Sequence, residues 1–370
     1  MNWCSDPEFR YLVPSAQMPS EPTGRVVRHP SRMRILFVTP GEAAGSHLPF
    51  VQREAEALRS AGHLVDSFGF DNSRYSVGNF IAQALDLRAA IRRLRPDVVH
   101  AQFGKFNALL AAVAAAGLAP LAITFRGTDI NHNTRYSTLR SSLGIGASQT
   151  AALFASGIVC VSREIRDKVL ARRWRPSLVV PTGVDLKSFV PGERAAARRR
   201  LGLGADERIV LFNSGRNPAV KDPELAAEAV DDARRRIGAV RLVVLDGSAP
   251  PSEVPHYMNA ADCLLVTSKT EGSPTVVQEA MACNLPVVSV DVGDVRERLE
   301  GVAGCHVVSR CPLALGMALA GVLKAQQRSD GRKHAIALGL DAIAARLTDF
   351  YRQLLPASQR DLGPKYRSAE

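Results

Sequence analysis

The residues best suited to chemistry gather in two short stretches, and the first holds a pair of carboxylates, Glu271 and Glu279. An apolar run, Cys263 to Thr267, reads as a strand; a polar loop follows, and Ser273-Pro274 reads as the N-cap and first residue of a helix. The start of that helix offers free backbone N–H groups and a positive dipole end to a phosphate or another anion, and Gly272 allows close backbone approach. Glu279 lies four residues past Thr275 on the same helix face, while Val276, Val277 and Ala280 can turn toward the sheet. A carboxylate one turn behind an anion site is placed to accept two hydroxyl hydrogen bonds, which suits a ribose better than a metal. Glu271, on the loop, hangs nearer the reacting end of such a ligand, where it can bind sugar hydroxyls or steady developing positive charge.

The second stretch is Leu211-Phe212-Asn213-Ser214-Gly215-Arg216-Asn217-Pro218-Ala219-Val220-Lys221-Asp222-Pro223. Two cations, Arg216 and Lys221, follow a strand end and precede a helix that opens at Pro223. A departing diphosphate develops negative charge, and a preorganised Arg and Lys stabilise it without a metal. Taken singly, each of these residues also suits an ordinary solvated surface. Their arrangement after strand ends is what points to a site.

The elements that position them alternate short apolar strands with amphipathic helices, the pattern of parallel sheets covered on both faces. One series has strands at Arg34–Thr39, His63–Phe68, Val98–Gln102, Leu121–Phe125 and Gly157–Val161. A glycine-containing loop, Pro40 to Ser46 with Gly45, leads from its first strand into a helix over Pro49 to Ala61. In Leu85 to Leu94, apolar residues fall at helical spacing and Pro96 is the stop. The turn-rich Val180-Pro181-Thr182-Gly183-Val184-Asp185 ends this half. A second series has strands at Ile209–Asn213, Arg241–Leu245, Cys263–Thr267, Val287–Val290 and His306–Val308. The expected division is an aperiodic, disordered tail over 1–32, α/β domains over 33–185 and 186–342, a helix over 343–358 packing back toward the first domain, and a tail over 359–370. Met33 is a second candidate for the first residue. Two doubly wound, Rossmann-like halves imply a cleft, with ligands at the carboxyl ends of the strands.

The 370 residues, 46% hydrophobic and 22% charged, describe a globular protein, and no apolar stretch approaches the roughly 20 residues of a membrane span. The six cysteines show no Cys-x-x-Cys pair and no metal-ligand spacing, so no metal or cofactor is expected; Cys160 and Cys263 sit in strand-like runs, which fits a reducing cytoplasm. The net charge is +11. Arginine gathers as Arg92-Arg93, Arg172-Arg173, Arg198-Arg199-Arg200 and Arg234-Arg235-Arg236. Solvated helix faces are the plain reading of these clusters; attraction to anionic lipid headgroups at the inner face of the plasma membrane is the sharper one. Nucleic acid is not expected, because the clusters are scattered and lack aromatic platforms between them.

Glu271-Gly272-Ser273-Pro274 followed by Glu279-Ala280-Met281-Ala282-Cys283-Asn284-Leu285-Pro286 resembles the signature of glycosyltransferase family 4, retaining transferases of GT-B fold. The resemblance runs from about Met33 to Leu355. It includes Gly215-Arg216 with Lys221, Val161-Ser162, and Pro181-Thr182-Gly183-Val184-Asp185 before Phe189. Through Val254 to Asp262 and Asp291-Val292-Gly293-Asp294-Val295, the chain looks most like bacterial transferases of exopolysaccharide or cell-wall polymer assembly.

The resemblance implies Arg216 and Lys221 on the donor diphosphate and Glu271 on the donor sugar. It places the backbone of Gly272, Ser273, Pro274, Thr275 and Val276 around phosphate and sugar, and Glu279 on the ribose. It implies a nucleotide-diphosphate sugar donor bound by the second domain, and a glycan or polyprenyl-linked acceptor bound mostly by the first. Retention of anomeric configuration by same-face attack requires no protein nucleophile.

Two departures stand out. Where many members have histidine in a Thr-Phe-His-Gly-like motif, this chain reads Thr124-Phe125-Arg126-Gly127-Thr128-Asp129; the first-domain candidates are Gly45, Asp129, His132 and Arg126, the last to bind phosphate or shape the acceptor site. The segment Asp246 to Glu253 is short, so base recognition does not carry over. Rival readings are a nucleotide-sugar epimerase or hydrolase, distinguished by donor turnover without acceptor, and a catalytically silent nucleotide-sugar-binding partner. A dinucleotide dehydrogenase is disfavoured by the lack of Gly-x-Gly-x-x-Gly.

Overall fold

A computed structural model describes residues 32–41, 48–71, 76–131, 138–215 and 218–357. The first half runs β1 (Arg34–Pro40), α1 (Pro49–Ser60), β2 (Leu64–Phe70), α2 (Val77–Leu94), β3 (Val98–Ala101), α3 (Lys105–Ala115), β4 (Leu121–Phe125), α4 (Thr138–Phe154), β5 (Gly157–Cys160), α5 (Arg163–Lys168) and β6 (Ser177–Val179). The second continues with α6 (Arg194–Leu201), β7 (Ile209–Asn213), α7 (Pro218–Lys221), α8 (Pro223–Ile237), β8 (Arg241–Leu245), α9 (Val254–Ala260) and β9 (Cys263–Val266). It ends with α10 (Thr275–Ala282), β10 (Val287–Val290), α11 (Val295–Leu299), β11 (His306–Val308), α12 (Pro312–Ala325), α13 (Gly331–Ala335) and α14 (Leu340–Leu354).

The apolar runs form two wholly parallel sheets, ordered β2-β1-β3-β4-β5-β6 and β11-β10-β9-β7-β8. Their central strands β3, β4, β9 and β10 are buried on both faces, as parallel strands beneath helices must be. Each sheet is doubly wound, and its strand order reverses at one point, between β1 and β3 and between β7 and β9. This is the expected two-part Rossmann-like α/β architecture. The expected tails lie outside the described residues except for Arg32.

Local signals explain the helix ends. The Ser76 hydroxyl accepts from Asn79 N at 3.1 Å to start α2, and Arg95 ends it in a left-handed conformation ahead of Pro96. On one face of the first sheet α2, α3 and α4 share a core with Val99, Ile123 and Ile158. On the other, α14 joins α1, burying Leu347, Phe350, Tyr351 and Leu354 against Phe37, Val98 and Val159. Inside this layer the His100 ring lies 2.6 Å from both the Tyr351 and the Thr124 hydroxyls. Burial pushes the pKa of His100 down to about 4; the nearby Glu54 opposes that shift and Arg126 adds to it. The neutral ring is therefore a fixed hydrogen-bonding link. The chain crosses between the halves twice, and the crossings run side by side: Val184 N donates to Leu338 O and Leu340 N to Val184 O, at 3.0 and 3.1 Å.

Candidate functional site

Ligands of doubly wound sheets lie beyond the carboxyl ends of the strands, at the point where strand order reverses. In the second half those ends are β7 and β9, which lead to Lys221 and Glu271 respectively. Thr267, just past β9, ties the two loops together, its hydroxyl lying 2.8 Å from Lys221 O and 2.9 Å from Asp222 O. Lys269 N adds a bond to Val220 O at 2.8 Å. Asp222 turns the chain in a left-handed conformation, caps α8, and takes Arg310 and Lys269 on its carboxylate. So braced, Lys221 Nζ meets Glu271 Oε1 at 2.5 Å, with about a fifth of each side chain exposed.

Helix α10 starts one residue later than expected. Pro274 is its N-cap, and the Ser273 hydroxyl instead donates to Asp294 Oδ2 at 2.8 Å. The reason is the buried Asp294 carboxylate, whose pKa burial raises, with Arg298 at 2.8 Å and Ser273 partly offsetting the cost. Backbone N–H groups at the helix start remain without side-chain caps. Glu279 follows one turn later with 12% of its side chain exposed. Burial pushes its pKa up to about 7 against the opposing pull of Arg53 and Lys221.

The halves touch at Gly272. A Cβ there would collide with the carbonyl oxygen of Arg126, and one on Gly127 would come within 3.3 Å of Gly272 N and Cα. Gly127 also has φ +127°, open essentially to glycine. Gly272 thus lets opposite backbones meet, a use that the loop sequence alone did not suggest.

Arg126 turns inward. Its guanidinium contacts Glu54 Oε2 at 3.1 Å, Gln102 Oε1 at 2.5 Å, Gln102 O and Thr182 Oγ1 at 3.3 Å, and stacks over Phe50 at 4.7 Å. Only 6% of the side chain is exposed. Asp129, wholly buried, accepts from the N–H groups of Gly104, Arg126 and Gly127 at 2.8 to 3.1 Å. Both residues serve the scaffold of the cleft wall. Arg216, Gly45 and His132 lie outside the described residues.

Arg53 of α1 joins the candidate site by position, which the sequence did not announce. It reaches Glu279 across the halves at 4.0 Å and lines a cavity of about 390 Å³ with Asp185, Ser188, Ser252 and His256. Its helix periodicity shows only which way it faces in its own half. Among the described residues, no group of three or more His, Cys, Asp or Glu is gathered as for a metal ion.

The sequence matches the model described as Glycosyltransferase Family 4 over residues 49–188, and the model described as Glycosyl transferases group 1 over residues 205–325. It is 30% identical over 230 residues to the Bacillus subtilis (strain 168) protein TuaC, named for glycosyl transfer in teichuronic acid biosynthesis, across 58% of each chain. To a D-inositol 3-phosphate glycosyltransferase of Geodermatophilus obscurus it is 34% identical over 227 residues, half of each chain. The match therefore spans only half to three-fifths of the length of these relatives.

Among solved structures, sucrose-phosphate synthase from Thermosynechococcus elongatus superposes with a TM-score of 0.68 at 20% identity, over 87% of this chain and 99% of that one. Anabaena HepE in complex with UDP gives 0.67 at 16% identity, over 87% and 100%. At these identities the likeness concerns the GT-B-like fold. A glycosyltransferase model matches each half and the halves are wound as in these structures: the chain belongs to glycosyltransferase family 4.

Proposed function

We propose that this protein transfers a sugar from a nucleotide-diphosphate sugar, with retention of anomeric configuration, to a glycan or lipid-linked glycan in bacterial surface polysaccharide synthesis. The observation that carries this reading is the meeting of Lys221, Glu271 and Glu279 around the open start of α10. In this reading the diphosphate lies at the helix start, with Lys221 neutralising the charge that grows as the sugar departs. Glu279 accepts the ribose hydroxyls, and the 390 Å³ cavity beside Arg53 receives the base. Glu271, held by Lys221 in the free protein, turns to the donor sugar once phosphate claims the lysine. The name of the Bacillus subtilis relative, in teichuronic acid biosynthesis, supports the acceptor class.

The proposed setting is the cytoplasmic face of the membrane, consistent with unpaired thiols at Cys160, Cys263, Cys283, Cys305 and Cys311. No helix among the described residues is long and apolar enough to cross a bilayer.

The test is a thermal-shift panel of UDP-, GDP- and ADP-sugars, followed by acceptor-dependent turnover and assignment of the product anomer by NMR. A selective shift that Glu279→Ala abolishes is the expected result, because a ligand of the native state raises stability by mass action. Donor turnover without any acceptor, or an inverted product, overturns the reading.

A further inference from the structure

The α2-α3-α4 layer has an outer surface that the transfer site does not use. α3 packs between α2 and α4, and all three cover one face of the first sheet. Val77, Ile81 and Leu85 recur every fourth residue on α2, and Leu139 and Leu143 do so on α4; each is more than half exposed. A solvated helix places polar residues at these positions. The five lie in the N-terminal halves of their helices, beside the carboxyl edge of the sheet, which is the edge that faces the cleft.

The charge on these helices is equally one-sided. They contain one acid, Asp86, against Arg88, Arg92, Arg93, Lys105 and Arg140. Arg92 continues the exposed stripe of α2 beyond Leu85, and among the described residues neither Arg92 nor Arg93 has an ion-pair partner. The other arginine clusters are largely neutralised within the protein. Arg172 lies 3.6 Å from Asp167, Arg198 2.9 Å from Asp262, Arg200 2.9 Å from Glu253 and Arg234 2.7 Å from Asp231, while Arg235 and Arg236 share Asp232.

We infer that the α2-α3-α4 face docks on an anionic lipid surface, its apolar side chains entering the interface and Arg92 and Arg93 meeting the headgroups. Apolar residues alone would suit a second protein. An acid-poor, cation-rich surround complements a negatively charged membrane. In that orientation the cleft edge lies at the bilayer, where a lipid-held acceptor could enter without leaving it. The inference concerns binding and stands apart from the transfer reaction, so its test reads no turnover.

Wild-type protein, an Ile81→Ser/Leu85→Ser variant and an Arg92→Ser/Arg93→Ser variant are floated with phosphatidylglycerol-containing and with purely phosphatidylcholine vesicles, at low and raised salt. Melting temperatures confirm folding, which these exposed positions should leave intact. The expected result is wild-type flotation with anionic vesicles at low salt, reduced about tenfold or more by the arginine pair, by the apolar pair and by salt. Wild-type protein that stays at the bottom, or variants that float like wild type, overturns the inference. So does a concentration-dependent dimer that Ile81→Ser/Leu85→Ser disperses without any effect on vesicle binding, since a second copy would then cover this face.

Discussion

Arg53, on the first helix, stands 4.0 Å from Glu279 on a helix of the opposite half, an ion pair that joins α1 to α10. A third of the arginine side chain is exposed, so the pair itself contributes only about 0–1 kcal/mol to stability. Its larger effect is on proton affinity, because Arg53 draws the Glu279 pKa down against burial. If the carboxylate binds ribose, donor affinity should rise as pH passes about 7. Arg53→Ala should move that midpoint to higher pH with little loss of melting temperature, as calorimetric titrations across the range would show.

Glu279→Gln should separate stability from binding. The folded-state pKa lies above the unfolded value of 4.5, so the folded protein holds the extra proton. The penalty is absent below about pH 4.5, grows through the interval up to about 7, and is complete above it. The variant should therefore be more stable than wild type at alkaline pH, by about 1–3 kcal/mol, and match it in acid. It should nonetheless bind donor more weakly. Melting curves that run parallel across the whole pH range would contradict this assignment.

If, as proposed, the charge of Lys221 is needed most as the diphosphate departs, Lys221→Met should slow transfer more than it weakens donor binding. A fall in kcat of about 10²–10³ with a modest change in KM is expected. A pure rise in KM would place the lysine in ground-state binding alone.

Gly272→Ala puts a methyl where the Arg126 carbonyl lies. Held closed, the protein would bear an overpacking cost of about 1–3 kcal/mol, and separation of the halves relieves it. Small-angle scattering should show a larger radius of gyration than wild type, together with lower activity. An unchanged radius with full activity would show that the halves do not need this contact.

Arg126→Met leaves Glu54 buried without its cation, a loss of about 3–5 kcal/mol. Adding Glu54→Gln removes the stranded charge and should restore part of the melting temperature. Effects that simply add would mean that the two residues are not coupled.

Much of the framework was legible because parallel strands buried on both faces announce themselves as unbroken apolar runs. Ten strands fall within a residue or two of their expected positions. β6 was missed: with three residues, half-exposed at a sheet edge, it carries little pattern. The Lys221, Glu271 and Glu279 cluster could be read because each follows a strand end in its own half. Arg53 could not, since its partner lies more than two hundred residues away and periodicity does not report what a second domain brings opposite. Ser273 misled for a similar reason: its hydroxyl suits a cap, but the buried Asp294 offers a stronger acceptor. Arg126 looks like an anion ligand until Glu54 and Gln102 are seen around it.

The final helix has a consequence for how the molecule comes into being. α14 fills one face of the first sheet, with Phe350 and Leu354 against Gly157 and Tyr351 bonded to His100. A ribosome making this chain releases β1 long before the helix that covers it, so the first sheet waits with an oily side open until α14 has emerged. Translation cut short near residue 340 would leave the second half intact and the first unfinished. Its damage would surface as aggregation of the part already made.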